Sequence, residues 1–79
     1  MDIHHLVTMA NQIGDFYSSY PDKTEAAREI ATHLKKFWEP RMRRQMLDYV
    51  DSQNGEGLEA AVLAAIKAHR QKLEPLAQQ

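Results

Sequence analysis

The segment FWEPRMRR, residues 37–44, places two aromatic residues, one proline and three arginines in eight consecutive positions. Pro40 biases Glu39 away from the helical conformation, so a helix that reaches this segment must end before the proline. The fixed backbone angle of proline also suits the first position of a new helix. The segment therefore predicts a corner between two helices, from which the rest of the chain can be interpreted outward.

Two helices are predicted before the corner. Asp2 is a candidate N-cap for the first, and Pro21 marks its end. Asp22 and Glu25 have the spacing of an acidic capping box for the second. The apolar face expected for the first helix is Ile3, Leu6, Val7, Ala10, Ile13, Gly14 and Tyr17. The stripe expected for the second is Ala26, Ala27, Ile30, Ala31, Leu34, Phe37 and Trp38.

Two further helices are predicted after the corner. The third begins at Pro40 and stops at Asn54 and Gly55, where Gly55 can adopt the left-handed conformation. The fourth is expected from about Gly57 to Leu73. The third helix has an apolar face of Met42, Met46, Leu47, Tyr49 and Val50. Four short helices without strand-like alternation predict a small all-α domain over residues 1–74, bundle-like or orthogonal, with a frayed tail over residues 75–79.

The residue inventory argues against an enzyme. The chain has no cysteine, and its two closest glycines flank one glutamate at a predicted helix boundary rather than forming a phosphate loop. Adjacent His4 and His5 point in different directions on a helix, and no metal-binding histidine spacing occurs. We expect no catalytic residue, metal site or cofactor in this chain. No secretory leader or membrane-spanning run is evident, so a cytoplasmic protein is expected.

The basic residues are concentrated around the corner. The chain carries a net charge of -1, whereas residues 33–46 hold five basic side chains and one acidic side chain. Arg41, Arg43 and Arg44 occupy the first turn of a helix, where positive charge is disfavoured. Arg43 lies on the flank of the apolar stripe, so it should pair with a carboxylate or be satisfied by another chain. A solvated charge cluster is the alternative.

These features predict two surfaces that could bind a partner. Phe37 and Trp38 are adjacent and cannot point the same way, so one should fill the core and the other should lie at its edge. The composition of the corner is typical of protein-binding hot spots. The first candidate surface is Phe37, Trp38, Pro40, Arg41, Met42, Arg43 and Arg44. The second is Asn11, Gln12, Asp15 and Phe16, for which an ordinary solvent-exposed face is an equal alternative.

ANQIGDFY, residues 10–17, followed by a proline and then by IATHLKKFWEPRMRRQM, residues 30–46, resembles a known family. The family is the delta subunit of soluble, NAD-dependent, molybdenum-containing formate dehydrogenases. The resemblance runs from about Ile3 to Ile66, and HLKKFWEPRMR, residues 33–43, is its most specific part. It brings no catalytic residues with it.

The resemblance implies a helical accessory protein in a hetero-oligomer, bound to the large catalytic subunit. That subunit is implied to carry the molybdenum cofactor and iron–sulfur clusters, and other subunits to carry flavin and further clusters. The expected role is to stabilise the assembly or to assist cofactor loading. Three alternatives stay open: a maturation chaperone that dissociates, a small nucleic-acid-binding module, and a homo-oligomer that uses the Met42 and Met46 face.

Overall fold

The computed structural model describes residues 2–75, which form five helices and no strand. They are α1 (Ile3–Phe16), α2 (Lys23–Phe37), α3 (Pro40–Gln53), α4 (Ala60–Ala68) and α5 (Arg70–Leu73). The predicted all-α class is confirmed, and α1, α2 and α3 lie close to their predicted positions. None of the described helices is long and apolar enough to cross a membrane. Of the predicted frayed tail, residues 76–79 lie outside the described residues.

Aspartates begin the first two helices. The Asp2 side chain accepts a hydrogen bond from the His4 backbone N–H at 3.0 Å. The Asp22 side chain accepts bonds from the N–H groups of Thr24 at 2.9 Å and Glu25 at 3.3 Å. Both aspartates thus satisfy donors that a helix start leaves without partners. Within residues 2–75 the reciprocal half of the predicted capping box is absent, because the Glu25 carboxylate instead lies 3.5 Å from Arg28.

The turn after α3 has the predicted left-handed backbone. Asn54 has φ 59° and Gly55 has φ 67°, and both conformations are strained for most side chains. Gly57 follows with φ 92°. Three left-handed residues within four positions reverse the chain tightly, so α3 ends where the Asn-Gly pair predicts.

The prediction for the fourth helix is wrong at the first residue of the helix. The observed helix is also interrupted near the predicted end. The helix begins at Ala60 rather than Gly57, because the preceding residues belong to the left-handed turn. It ends at Ala68, and His69, with φ −118° and ψ 30°, separates it from the single turn of α5. No glycine or proline lies at this break. The residue after the break makes a tertiary contact, in which the two carboxylate oxygens of Asp51 on α3 accept hydrogen bonds from the guanidinium of Arg70 at 2.9 and 2.7 Å.

The core lies around α2, which contacts α1, α4 and α5. Side chains from every helix meet in one core. The buried cluster contains Leu6, Ala10, Ile30, Leu34, Trp38, Met46, Leu47, Val50, Val62, Ala65, Ile66 and Leu73.

Gly14 marks the closest approach of α1 to α4. A Cβ atom at this position would overlap Cγ2 of Val62, a fully buried side chain with no room to move away. We expect Gly14→Ala to lower the free energy of unfolding, because overpacking costs about 1–3 kcal/mol and exceeds the helix-propensity gain of about 1 kcal/mol. Urea denaturation followed by the fluorescence of Trp38 measures the change.

The effect of Gly14→Ala on the free energy of unfolding should change sign when Val62 is replaced by the shorter alanine. Removing the Val62 methyl groups leaves only Cβ, 3.9 Å from the new methyl group, which is an ordinary contact. In a Val62→Ala background, Gly14→Ala should therefore stabilise the chain by up to about 1 kcal/mol through helix propensity alone. Equal effects of Gly14→Ala in both backgrounds would show that the steric explanation is wrong.

Candidate functional site

The two aromatic residues at the corner have opposite environments. Phe37 is the last residue of α2 and is 68% exposed, whereas Trp38 is 5% exposed and belongs to the core. Trp38 leaves the helix with an extended backbone, φ −90° and ψ 135°, and this turns its side chain inward. The prediction that only one of the pair fills the core is confirmed. Phe37, rather than Trp38, remains available to contact a partner.

The two candidate surfaces meet in one groove. The groove has a volume of about 470 Å³ and lies between α1 and the corner that joins α2 to α3. It unites Gln12 and Phe16 of the second candidate surface with Phe37, Trp38 and Met42 of the first. The remaining lining residues are Met9, Ile13, Tyr17 and His33. Hereafter, "the groove" means these nine residues.

Aromatic contacts hold the walls of the groove. The ring of His33 packs against Phe37 with centroids 4.7 Å apart and planes tilted by 44°. On the opposite wall, Phe16 packs edge-on against Tyr17, with centroids 5.0 Å apart. Phe16 is 73% exposed even with this contact. Phe16 and Phe37 are the exposed large hydrophobic residues of the described chain, and both face the same depression.

Sequence reasoning missed Met9 and His33, and it assigned Ile13 to the core alone. A signal for them existed. Met9, Ile13 and Phe16 have the i, i+4, i+7 spacing of a second apolar ridge on α1, and His33 and Phe37 have i, i+4 spacing on α2. The apolar stripe of α1 is thus wider than the core can cover, and its uncovered edge forms one groove wall.

The predicted pairing of Arg43 with a carboxylate or with another chain is not what the structure shows. Its side chain is 7% exposed and donates hydrogen bonds from Nε to the Trp38 carbonyl at 3.3 Å and from Nη1 to the Leu73 carbonyl at 3.0 Å. The structure thus gives Arg43 carbonyl acceptors of its own chain, where the prediction had a carboxylate or another chain. Both acceptors follow or end helices, where carbonyls lack helical partners and positive charge is favoured. The positive charge of Arg43 interacts unfavourably with the N-terminal end of α3, to which it belongs, but favourably with the C-terminal ends of α2 and α5.

Arg41 and Arg44 remain on the surface beside the groove. Within residues 2–75 Arg41 makes no hydrogen bond or ion pair, and Arg44 lies 3.7 Å from the exposed Asp48 carboxylate. A shallow depression joins both arginines to Glu39 and Pro40. A further depression links Arg41 to Phe37 and Met42 of the groove. We call Arg41 and Arg44 the basic rim.

Two other predicted contact residues have structural roles. Asn11 donates from Nδ2 to the Gly57 carbonyl at 3.0 Å and accepts at Oδ1 from the Glu59 N–H at 2.9 Å. It thereby holds the turn before α4 against α1, which sequence spacing alone did not indicate. Met46 is 2% exposed and lies in the core, so the proposed homo-oligomer face of Met42 and Met46 does not exist as a surface.

Two carboxyl groups approach each other where α1 meets α4. A hydrogen bond with the Asp15 carboxyl, together with desolvation and the negative charge of Asp15, raises the pKa of Glu59 above its ordinary value of 4.5. The folded chain therefore keeps a proton on Glu59 at pH values where the unfolded chain has released it. This contribution to stability is fully present below pH 4.5 and is lost as the pH rises through the raised pKa.

Glu59→Gln should consequently stabilise the chain at neutral pH. Glutamine keeps the hydrogen bond to Asp15 and removes the repulsion, so the variant should unfold at higher urea concentration than the wild type at pH 7. The advantage should shrink as the pH falls through the raised pKa of Glu59, because the wild-type side chain then carries a proton itself. Parallel urea titrations across this range measure it. Glu56→Gln, in the same turn, is the control, and an equal pH-dependent gain there would contradict the assignment.

The lining of the groove offers chemistry suited to binding. Among the residues that the structure describes, no three histidine, aspartate or glutamate side chains gather where they could hold a metal ion. Gln12, His33 and the hydroxyl of Tyr17 are polar groups in an otherwise predominantly apolar lining. Such an arrangement is suited to burying apolar side chains of another molecule.

Comparison with known proteins places the chain in a family. Residues 5–66 match the family model described as the NADH-dependent formate dehydrogenase delta subunit FdsD. No curated protein and no solved structure gives a significant match. The matched range includes all of α2 and α3 and most of α1 and α4, and it contains the groove and the basic rim. The chain therefore belongs to the FdsD family of formate dehydrogenase delta subunits.

Proposed function

We propose that this chain is a non-catalytic accessory subunit that binds the large, molybdenum-containing subunit of formate dehydrogenase through the groove and the basic rim. The observation that carries the proposal is the convergence of Phe16 and Phe37, both largely exposed, on one apolar depression beside two arginines. Aromatic and arginine side chains dominate protein-binding hot spots. A 79-residue chain also buries limited surface by itself and gains stability from a partner.

The proposal assigns the chemistry to the partner subunits. The molybdenum cofactor, the iron–sulfur clusters and the flavin would belong to them, and the present chain would stabilise their assembly or assist cofactor loading. Its lack of cysteine supports this division, since cysteine thiolates hold iron–sulfur clusters. The nucleic-acid-binding alternative loses support because Arg43, one of the five basic residues around the corner, uses its guanidinium inside the chain.

Phe37→Ala tests the docking surface. The side chain is exposed, so the variant should fold with unchanged helical content, while truncation of a binding anchor should cost about 2 kcal/mol or more, roughly 30-fold in dissociation constant. The readout is co-elution with the large subunit in size-exclusion chromatography after co-expression. Arg28→Ala is a matched control, because Arg28 lies nine residues before Phe37 and thus on the opposite face of α2. If Phe16→Ala and Phe37→Ala both co-elute like the wild type, the groove is not the docking surface.

Molybdenum analysis of the same preparations separates a permanent subunit from a maturation chaperone. Stoichiometric co-elution of the wild-type chain identifies a structural subunit. Raised molybdenum content of the large subunit without co-elution identifies a chaperone that dissociates. If the chain neither co-elutes with the large subunit nor changes its molybdenum content, the proposed function is wrong.

A further inference from the structure

We infer that the groove receives an amphipathic helix of the large subunit, oriented so that carboxylates of that helix lie against the basic rim. This inference rests on the proposed function and specifies the chemistry of the partner segment. It follows from the shape of the groove, from its lining, and from the position of the charges around it.

The lining of the groove selects a helix over other occupants. A strand could add only to an exposed sheet edge, and residues 2–75 contain no strand. A small polar ligand needs several convergent polar groups, whereas the groove supplies Gln12, His33 and the Tyr17 hydroxyl in a predominantly apolar lining. Met9 and Met42 on opposite walls provide the adaptable surface on which amphipathic helices pack.

The charges give the partner helix a direction. Arg41 has no partner within the described residues, and the exposed pair of Arg44 with Asp48 contributes little at 3.7 Å. The rim therefore has positive charge available beside the corner. Complementarity therefore places carboxylates of the partner helix near α3, beside Phe37 and Met42 of the groove.

A second copy of this chain fits the same surface poorly. A symmetric dimer would place the groove of one copy against the groove of the other. That arrangement brings the two basic rims close together. The Glu39 carboxylate beside each rim offsets one of its two positive charges, and the remaining like charges across the interface oppose association. The apolar side chains that could fill the groove, Phe16 and Phe37, are themselves part of its walls.

Photo-crosslinking in the co-expressed complex tests the inference directly. A benzoylphenylalanine replaces Phe37 in the full chain, and the crosslinked segment of the large subunit is identified by mass spectrometry. The expected segment has apolar residues at i, i+3 or i+4, and i+7, with aspartate or glutamate at one end. The same probe in place of Arg28, on the opposite face of α2, is the control and should not label that segment.

Charge reversal tests the orientation. We expect the double substitution Arg41→Glu and Arg44→Glu to weaken binding to the purified large subunit at least tenfold at low salt. It should also reduce the salt dependence seen with the wild type, because the arginine–carboxylate attraction is gone. Arg28→Glu is the matched control and should leave both quantities within twofold of the wild type.

The outcomes separate this inference from the proposed function. Wild-type binding combined with crosslinks to a segment without carboxylates, to a non-helical segment, or to a second copy of this chain overturns the inference alone. Wild-type binding that both arginine reversals leave unchanged also overturns it. If the wild-type chain neither binds the large subunit nor crosslinks to it, the proposed function fails, and the inference fails with it.

Discussion

Trp38→Ala is expected to remove a large part of the stability of the chain, whereas Phe37→Ala, one residue earlier, should leave the fold intact. Truncating a buried tryptophan costs about 3–5 kcal/mol. A chain of 79 residues has a total stability of only about 4–12 kcal/mol at typical values per residue. Trp38 is 5% exposed and packs in the cluster formed by all five helices, so the cavity should be felt throughout the molecule.

Thermal and urea denaturation by far-UV circular dichroism measure this difference. Circular dichroism is required because Trp38 is the one tryptophan of the chain, and its replacement removes the fluorescence signal. Phe37→Ala is the matched control, with an expected change within about 0.5 kcal/mol because the side chain is exposed. Similar destabilisation by the two substitutions would contradict the assignment of one aromatic residue to the core and the other to the surface.

Arg43→Met is the second substitution with a large expected effect. Methionine preserves much of the apolar stem but removes the guanidinium that binds the carbonyls of Trp38 and Leu73. Hydrogen bonds to a charged group contribute about 1.5–3 kcal/mol each, and their buried acceptors would be left without partners. We expect a loss of about 2–4 kcal/mol in the free energy of unfolding, measured by urea denaturation with Trp38 fluorescence.

Arg41→Met provides the control for this experiment. Arg41 lies two residues earlier in the same helix turn and is exposed, so its replacement should change stability by about 0.5 kcal/mol or less. Arg43→Lys should fall between the two, because one ammonium group cannot reproduce the fork of the guanidinium. If Arg43→Met is no more destabilising than Arg41→Met, the two carbonyl contacts do not stabilise the fold.

Both experiments change how binding variants of this chain should be interpreted. Trp38 and Arg43 belong to the candidate surface predicted from sequence, yet both are buried. Loss of the partner in Trp38→Ala or Arg43→Ala would report unfolding rather than a lost contact. Phe37, Arg41 and Arg44 are exposed, so substitutions there report on the interface itself.

The comparison of α3 with α4 shows which features local sequence can predict. Pro40 and the Asn54-Gly55 pair act through their own backbone preferences, so they locate both ends of α3 without reference to any other part of the chain. The break at His69 has no such residue. Arg70, which follows the break, contacts Asp51, 19 positions earlier, and a helical pattern contains no information about such a contact.

By itself, the sequence determined the all-α class, the first three helices and the corner between the second and the third. It also determined that only one of the two adjacent aromatic residues at the corner could fill the core. These properties follow from short-range sterics, capping and periodicity. The tertiary structure decided that Arg43 binds carbonyls of its own chain, that Asn11 holds a turn 46 residues away, and that two separate candidate surfaces form one groove. Such contacts depend on how helices pack in three dimensions, because partners distant in sequence become neighbours only when the core is assembled.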